Sequence, residues 1–106
     1  MGEYGLSESV ISDISRVFQS FPELEEVILY GSRAMGSFRN GSDIDITLVG
    51  KGLNLHSLNL VSLGLDGLML PYTFDISIFD HIDNEELLDH IGRKGVVLYR
   101  AEAVTD

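Results

Sequence analysis

The segment Asp43 to Val49 does most to limit what this chain can fold into. Asp43, Asp45, Thr47 and Val49 alternate with Ile44, Ile46 and Leu48. Side chains in a strand change face at every residue, so this pattern predicts a half-buried β-strand with an aliphatic side and a side that begins with two carboxylates. The Cα atoms of residues two apart on a strand lie about 7 Å from each other. Two acids held at that separation repel each other unless something neutralises them. A sheet with a paired-carboxylate edge is therefore the expectation on which the other segments must converge.

The flanking segments supply partners for that strand. Val27 to Tyr30 reads as a short strand that runs into Gly31, and Ser32 to Met35 opens a short helix. Asn40-Gly41 marks a turn immediately before Asp43. Thr73 to Phe79 alternates again, with Phe74, Ile76 and Ile78 opposite Asp75 and Ser77, and Val96 to Tyr99 reads as a last strand. Val10, Ile11, Ile14, Val17, Phe18 and Phe21 share one face of a helix over Ser7 to Phe21, capped by Ser7 or Ser9 and stopped by Pro22. A leucine-rich helix spans Asn54 to Leu70, weakened late by Gly64 and Gly67, and a short one capped by Asp83 or Asn84 runs to about Ile91. The predicted order is helix, strand, turn, strand, helix, strand, helix, strand. It implies one α/β (α+β) domain over 1–106, a small mixed sheet of four strands with helices mainly on one face.

Composition excludes several classes of function. The chain holds no cysteine, which removes disulfides, thiolate metal sites and a cysteine nucleophile. No apolar run reaches the roughly 20 residues of a membrane span, and MGEYGLSESV lacks the features of a secretory leader, so a cytoplasmic location is expected. The net charge of -10 argues against direct DNA binding, which needs a positive surface to replace counterions.

The chemistry concentrates in Gly31 to Asp45. Glycine after a strand permits a positive φ and close backbone approach to a ligand. The amides that follow, with the Ser32 hydroxyl, can point at phosphate oxygens. Asp43 and Asp45, joined by Asp75 from a later strand, read as three inward carboxylates able to hold hard divalent cations. Two such ions can activate an attacking oxygen and stabilise a leaving one. Gly31 to Gly36 has the glycine spacing of a P-loop, but Ser37 stands where that motif needs lysine. Arg33 is placed either to contact phosphate or to pair with an acid. Arg39 reads as a loop charge. His56, His81 and His90 show no metal-ligand spacing and read as surface or partly buried residues. The leucines of 54–70 read as core, with a surplus available to a partner.

Gly-Ser, ten residues and Asp-x-Asp together resemble the signature of the DNA polymerase beta-type nucleotidyltransferase superfamily. The fuller string GSRAMG…SDIDI, in a chain of this length, resembles its minimal nucleotidyltransferase (MNT) members. The resemblance runs from about Val27 to Phe79. It implies that Gly31, Ser32 and Arg33 bind the triphosphate, and that Asp43, Asp45 and Asp75 are catalytic and hold Mg2+, as two ions. It implies that Asp75 is also the base for the acceptor hydroxyl. The implied reaction transfers a nucleoside monophosphate, AMP from ATP in the first place, and releases pyrophosphate. Minimal members resemble antitoxins paired with an all-helical HEPN ribonuclease, which implies such a partner, or a homo-oligomer, and a partner tyrosine as acceptor. Two other readings stay open. One is an antitoxin that acts by contact without catalysis. The other is a transferase for a small antibiotic-type molecule.

Overall fold

A computed structural model describes residues 3–102; the outermost residues of the expected 1–106 domain, including the start of the MGEYGLSESV segment, lie outside the described range. Helix α1 covers Glu8–Gln19, strand β1 Glu26–Tyr30, helix α2 Gly31–Met35 and strand β2 Ile44–Val49. Helix α3 covers Leu55–Asp66, strand β3 Phe74–Ile78, helix α4 Glu85–Lys94 and strand β4 Val96–Arg100. Two 3-10 turns, Glu3–Gly5 and Phe79–His81, were not foreseen from the sequence.

The strands form one sheet in the order β3-β2-β1-β4. Strands β2 and β4 run antiparallel to β1 on either side of it, and β3 runs parallel to β2. The parallel pair needs a crossover, which α3 provides. Mixed pairing around a central β1–β2 unit agrees with the mixed four-stranded sheet expected from the sequence.

Helices α1 and α3 cover one face. Ile14 and Phe18 of α1 and Val61 and Leu65 of α3 join Val27, Leu29, Ile44, Ile46, Leu48 and Ile78 in a single buried core. The α1 periodicity predicts this burial, and Ser7 caps the helix by accepting from the Val10 amide at 3.2 Å. Asn54 caps α3 in the same way, accepting from the Ser57 amide at 3.0 Å. The shorter α4 packs against β1 on the other side of the sheet, where Tyr30 meets His90 edge-on. Asn84, rather than Asp83, caps α4 through the Leu87 amide.

Three expectations need adjusting. Strand β2 begins at Ile44, so Asp43 stands just before the strand. Thr47, expected on a half-open face, is fully buried, and its hydroxyl donates to the Ser77 carbonyl of β3 at 3.4 Å. Asp45 and Val49, at the two ends of that face, stay partly open. Helix α3 ends at Asp66 instead of Leu70, and Gly64 does not weaken it at random. A Cβ at Gly64 would lie 2.8 Å from Val17 Cγ1, so this glycine is where α3 meets α1.

Gly64→Leu therefore sets two effects against each other. Leucine gains up to about 1 kcal/mol of helix propensity over glycine. Overpacking against Val17 costs about 1–3 kcal/mol. The larger side chain must displace α1, so the variant is expected to lose about 1–2 kcal/mol in urea unfolding. A gain in stability would show that the helices separate without cost.

Candidate active site

Strand β1 ends at Tyr30 and the chain turns at once into α2 through Gly31, whose φ is +75°. An L-residue resists that conformation, which explains the glycine. A second constraint is steric. A Cβ built on Gly31 would collide with the Asp45 carboxylate. The glycine backbone therefore lies directly against an acid of the next strand.

The register brings the rest of the site into one row. Tyr30 of β1 pairs with Asp45 of β2, and Asp45 pairs with Asp75 of β3. Paired residues project to the same side, so a phenol and two carboxylates stand side by side at one end of the sheet. Asp43 joins them from the residue before β2. The expectation of three inward acids needs correcting here. Asp43 and Asp75 are exposed, and only Asp45 is half-buried. They lie at the rim of the sheet, and no group of three acidic, histidine or cysteine side chains among the described residues is ready to enclose a metal by itself.

The electrostatics still single out Asp45. Burial raises its pKa above the ordinary carboxylate value of 3.8, and the Asp75 and Asp43 charges raise it further; only a positive charge on His90, which its acceptance of the Gly31 amide proton at Nε2 does not allow, would work against the rise. Burial also pushes the Tyr30 phenol up; the Ser77 hydroxyl offsets part of this, and the Asp75 and Asp45 charges add to it. Asp45 thus ionises in a place that disfavours its charge. All the side-chain donors offered are hard oxygens, which suits magnesium. That ion takes one or two carboxylates and completes its shell with water and phosphate oxygens. The open, two-sided acid row fits such a shared site better than it fits a closed protein cage.

Arg33 departs from its expected role. It is 2% exposed. Its Nε and Nη2 donate to the Ser42 carbonyl at 3.1 and 2.9 Å, and its Nη1 donates to the Tyr4 carbonyl at 3.0 Å. The guanidinium also lies over the Phe38 and Tyr72 rings, 5.4 and 5.0 Å from their centroids. A cation so enclosed is engaged by backbone carbonyls and aromatic faces instead of by an acid or a free ligand surface. Its effect on the site is indirect: it fixes Ser42, the residue before Asp43. The same loop is closed by the Arg39 amide donating to Ser42 Oγ at 2.8 Å. Ser32 sits half-buried beside Gly31, in the first turn of α2.

His90, read from the sequence as a bland residue, belongs to this neighbourhood. Its Nε2 accepts from the Gly31 amide at 3.0 Å. The available signal was its position three residues after Leu87 and one before Ile91, on the inward stripe of α4. His56 and His81 are exposed, as expected.

The family described as "Polymerase beta, Nucleotidyltransferase" matches residues 12–103. The chain belongs to that family. Among solved structures, it is similar to one described as a toxin-antitoxin with AMP-PNP, at 21% identity and a TM-score of 0.68, over 92% of this chain and 76% of that one. It is similar to a chain of the complex of a tri-AMPylated Shewanella oneidensis HEPN toxin with an MNT antitoxin, at 17% identity and a TM-score of 0.65, over 91% and 74%. A putative nucleotidyltransferase from Sulfolobus solfataricus is similar at 27% identity and a TM-score of 0.50, over 91% of both chains. None of the curated proteins matches. Among the described residues no helix is long and apolar enough to cross a membrane.

Two outcomes follow from this geometry. Arg33→Lys keeps the charge but cannot hold two carbonyls in one plane, so it is expected to cost about 1–3 kcal/mol in urea unfolding. Wild-type stability in that variant would show the cage to be dispensable. The second concerns the charge on Asp45. A raised carboxyl pKa means that the folded state binds the proton more tightly than the unfolded chain does. The penalty is therefore absent below the ordinary 3.8 and grows as pH rises through the raised value. Asp45→Asn is expected to stabilise the nucleotide-free protein at neutral pH by about half a kcal/mol, a small gain because solvent screens a half-buried group. The gain should vanish in acid. Melting curves across pH check both the sign and the window; a loss of stability at neutral pH would contradict the strain.

Proposed function

We propose that this chain transfers a nucleoside monophosphate, AMP from ATP in the first place, to a hydroxyl of a HEPN-type helical partner, with a tyrosine as the acceptor. Membership of the nucleotidyltransferase family sets the reaction class. The single observation that carries the reading further is the contact between the Gly31 backbone and the Asp45 carboxylate, with Asp75 next in register. A turn suited to phosphate and an acid pair suited to cations then act on the same few ångströms. The similarity to chains of toxin-antitoxin complexes, one with AMP-PNP and one with an AMPylated HEPN toxin, supports the kind of partner and the nucleotide.

In this mechanism Ser32 and the Gly31 turn orient the triphosphate. Asp43, Asp45 and Asp75 would hold magnesium, as two ions, and the metal would supply charge neutralisation at the phosphates. Asp75, the most open of the β-strand acids, takes the proton from the acceptor hydroxyl. The acceptor oxygen forms a bond to the α-phosphorus, the α–β bridging bond breaks, and pyrophosphate leaves with the electron pair. Tyr30 stays protonated beside the acids and walls the row on the β1 side. The exposure of Asp75 leaves room for an acceptor presented by another protein.

The test is incubation of the full chain with its genomic neighbour's product, magnesium and each triphosphate, read by intact mass. The partner is expected to gain one nucleoside monophosphate, and Asp45→Asn or Asp75→Asn to slow this by at least about 100-fold. An unmodified partner with every triphosphate, despite a stable complex, would leave a contact-only antitoxin as the better reading.

A further inference from the structure

The first amides of a helix have no partner within the helix. For α2 the residue in the capping position is Tyr30, and its side chain makes no capping hydrogen bond. The Gly31 amide is nevertheless satisfied, by His90 Nε2 from a helix 59 residues away in sequence. That bond defines the imidazole: Nε2 is the acceptor, so the ring proton sits on Nδ1. The ring is also located by its edge-on contact with Tyr30, at 6.1 Å between centroids. Gly31 is thus held on two sides. Asp45 presses against its Cα, and His90 takes its N–H.

We propose that His90 is a positioning residue for the triphosphate turn. By occupying the Gly31 amide it fixes the left-handed conformation at Gly31 and sets the direction of the Ser32 amide and hydroxyl. Those Ser32 groups, rather than the Gly31 amide, then serve as donors to phosphate. The inference rests on the proposed function for its ligand, but the hydrogen bond itself does not. Helix α4 contributes no acid to the site, and on this account its role there is to hold the turn in its nucleotide-ready shape.

Two substitutions separate this from a packing role. His90→Leu keeps bulk and removes the acceptor, and His90→Gln replaces Nε2 by an amide oxygen. The full-length protein is titrated calorimetrically, well below its melting temperature, with magnesium plus a nonhydrolysable ATP analogue, and separately with AMP. Hydrogen exchange of the Gly31 amide is followed without nucleotide. The loss of one hydrogen bond predicts about 3–10-fold weaker binding of the ATP analogue in the Leu variant, little change for AMP, and recovery in the Gln variant. Gly31 exchange should accelerate with Leu and stay slow with Gln. Equal losses for AMP and the ATP analogue would mean general loosening and would overturn the proposal. Tighter analogue binding in the Leu variant would overturn it as well, since the imidazole would then be competing with phosphate for the amide. If the Leu variant does not fold, the Gln variant decides: analogue affinity and slow Gly31 exchange must both persist. A wild-type protein with a protected Gly31 amide and no affinity for any triphosphate would sink the proposed function, and the positioning role with it, while leaving the hydrogen bond established.

Discussion

The absence of a side chain at residue 31 is what lets the rest of the site exist. Strand β1 must end, reverse and start a helix within one residue, and it must do so against the Asp45 carboxylate. Any Cβ would displace that acid and would also force a conformation that L-residues resist. Once the glycine is in place, the antiparallel register of β1 and β2 puts Tyr30 beside Asp45, and the parallel register of β2 and β3 adds Asp75. Backbone and carboxylate thus come into contact through pairing alone, without a loop having to find the site.

Much of this was legible because it was written in periodicity. The alternation in Asp43 to Val49 and Thr73 to Phe79 identified two strands and the face that carries the acids. The helical stripe from Val10 to Phe21 predicted the face that buries Ile14 and Phe18. Gly31, Asp45 and Asp75 were singled out from spacing, and the fold brings the three to one end of the sheet. Alternation could not report depth. Thr47 is buried while Asp45, two residues before it on the same face, stays partly open, and Asp43 and Asp75 are exposed, the one just before β2 and the other on the edge strand β3.

What escaped the sequence were partners distant along the chain. Arg33 neighbours the turn in sequence, and charge near a phosphate site suggests a phosphate contact. Its side chain instead reaches Ser42 and Tyr4, and two aromatic rings close over it. Nothing local to residue 33 specifies that cage. It requires the Gly36 to Ser42 loop to return over α2 and the 3–5 turn to arrive from the other end of the chain. His90 is the complementary case. A lone histidine on an amphipathic helix carries no chemical signal until β1 and α4 pack together and one amide lies 3.0 Å from its Nε2.

These two residues divide the work of holding an electrostatically unfavourable centre. Asp43, Asp45 and Asp75 repel one another, and Asp45 is penalised further by burial. A site with that character would relax if its supports were loose, because Asp45 gains by moving toward solvent and away from the other two acids. Arg33 ties down the approach to Asp43 through backbone carbonyls, so it resists relaxation without forming an ion pair that would compete with a bound cation. His90 holds the opposite wall through a backbone amide, again leaving the carboxylates free. The polar supports are thus spent on the main chain, and the acids are left with unmet demand for positive charge. That arrangement costs stability in the empty protein. In the proposed transfer the same unmet demand would draw in a metal-nucleotide complex.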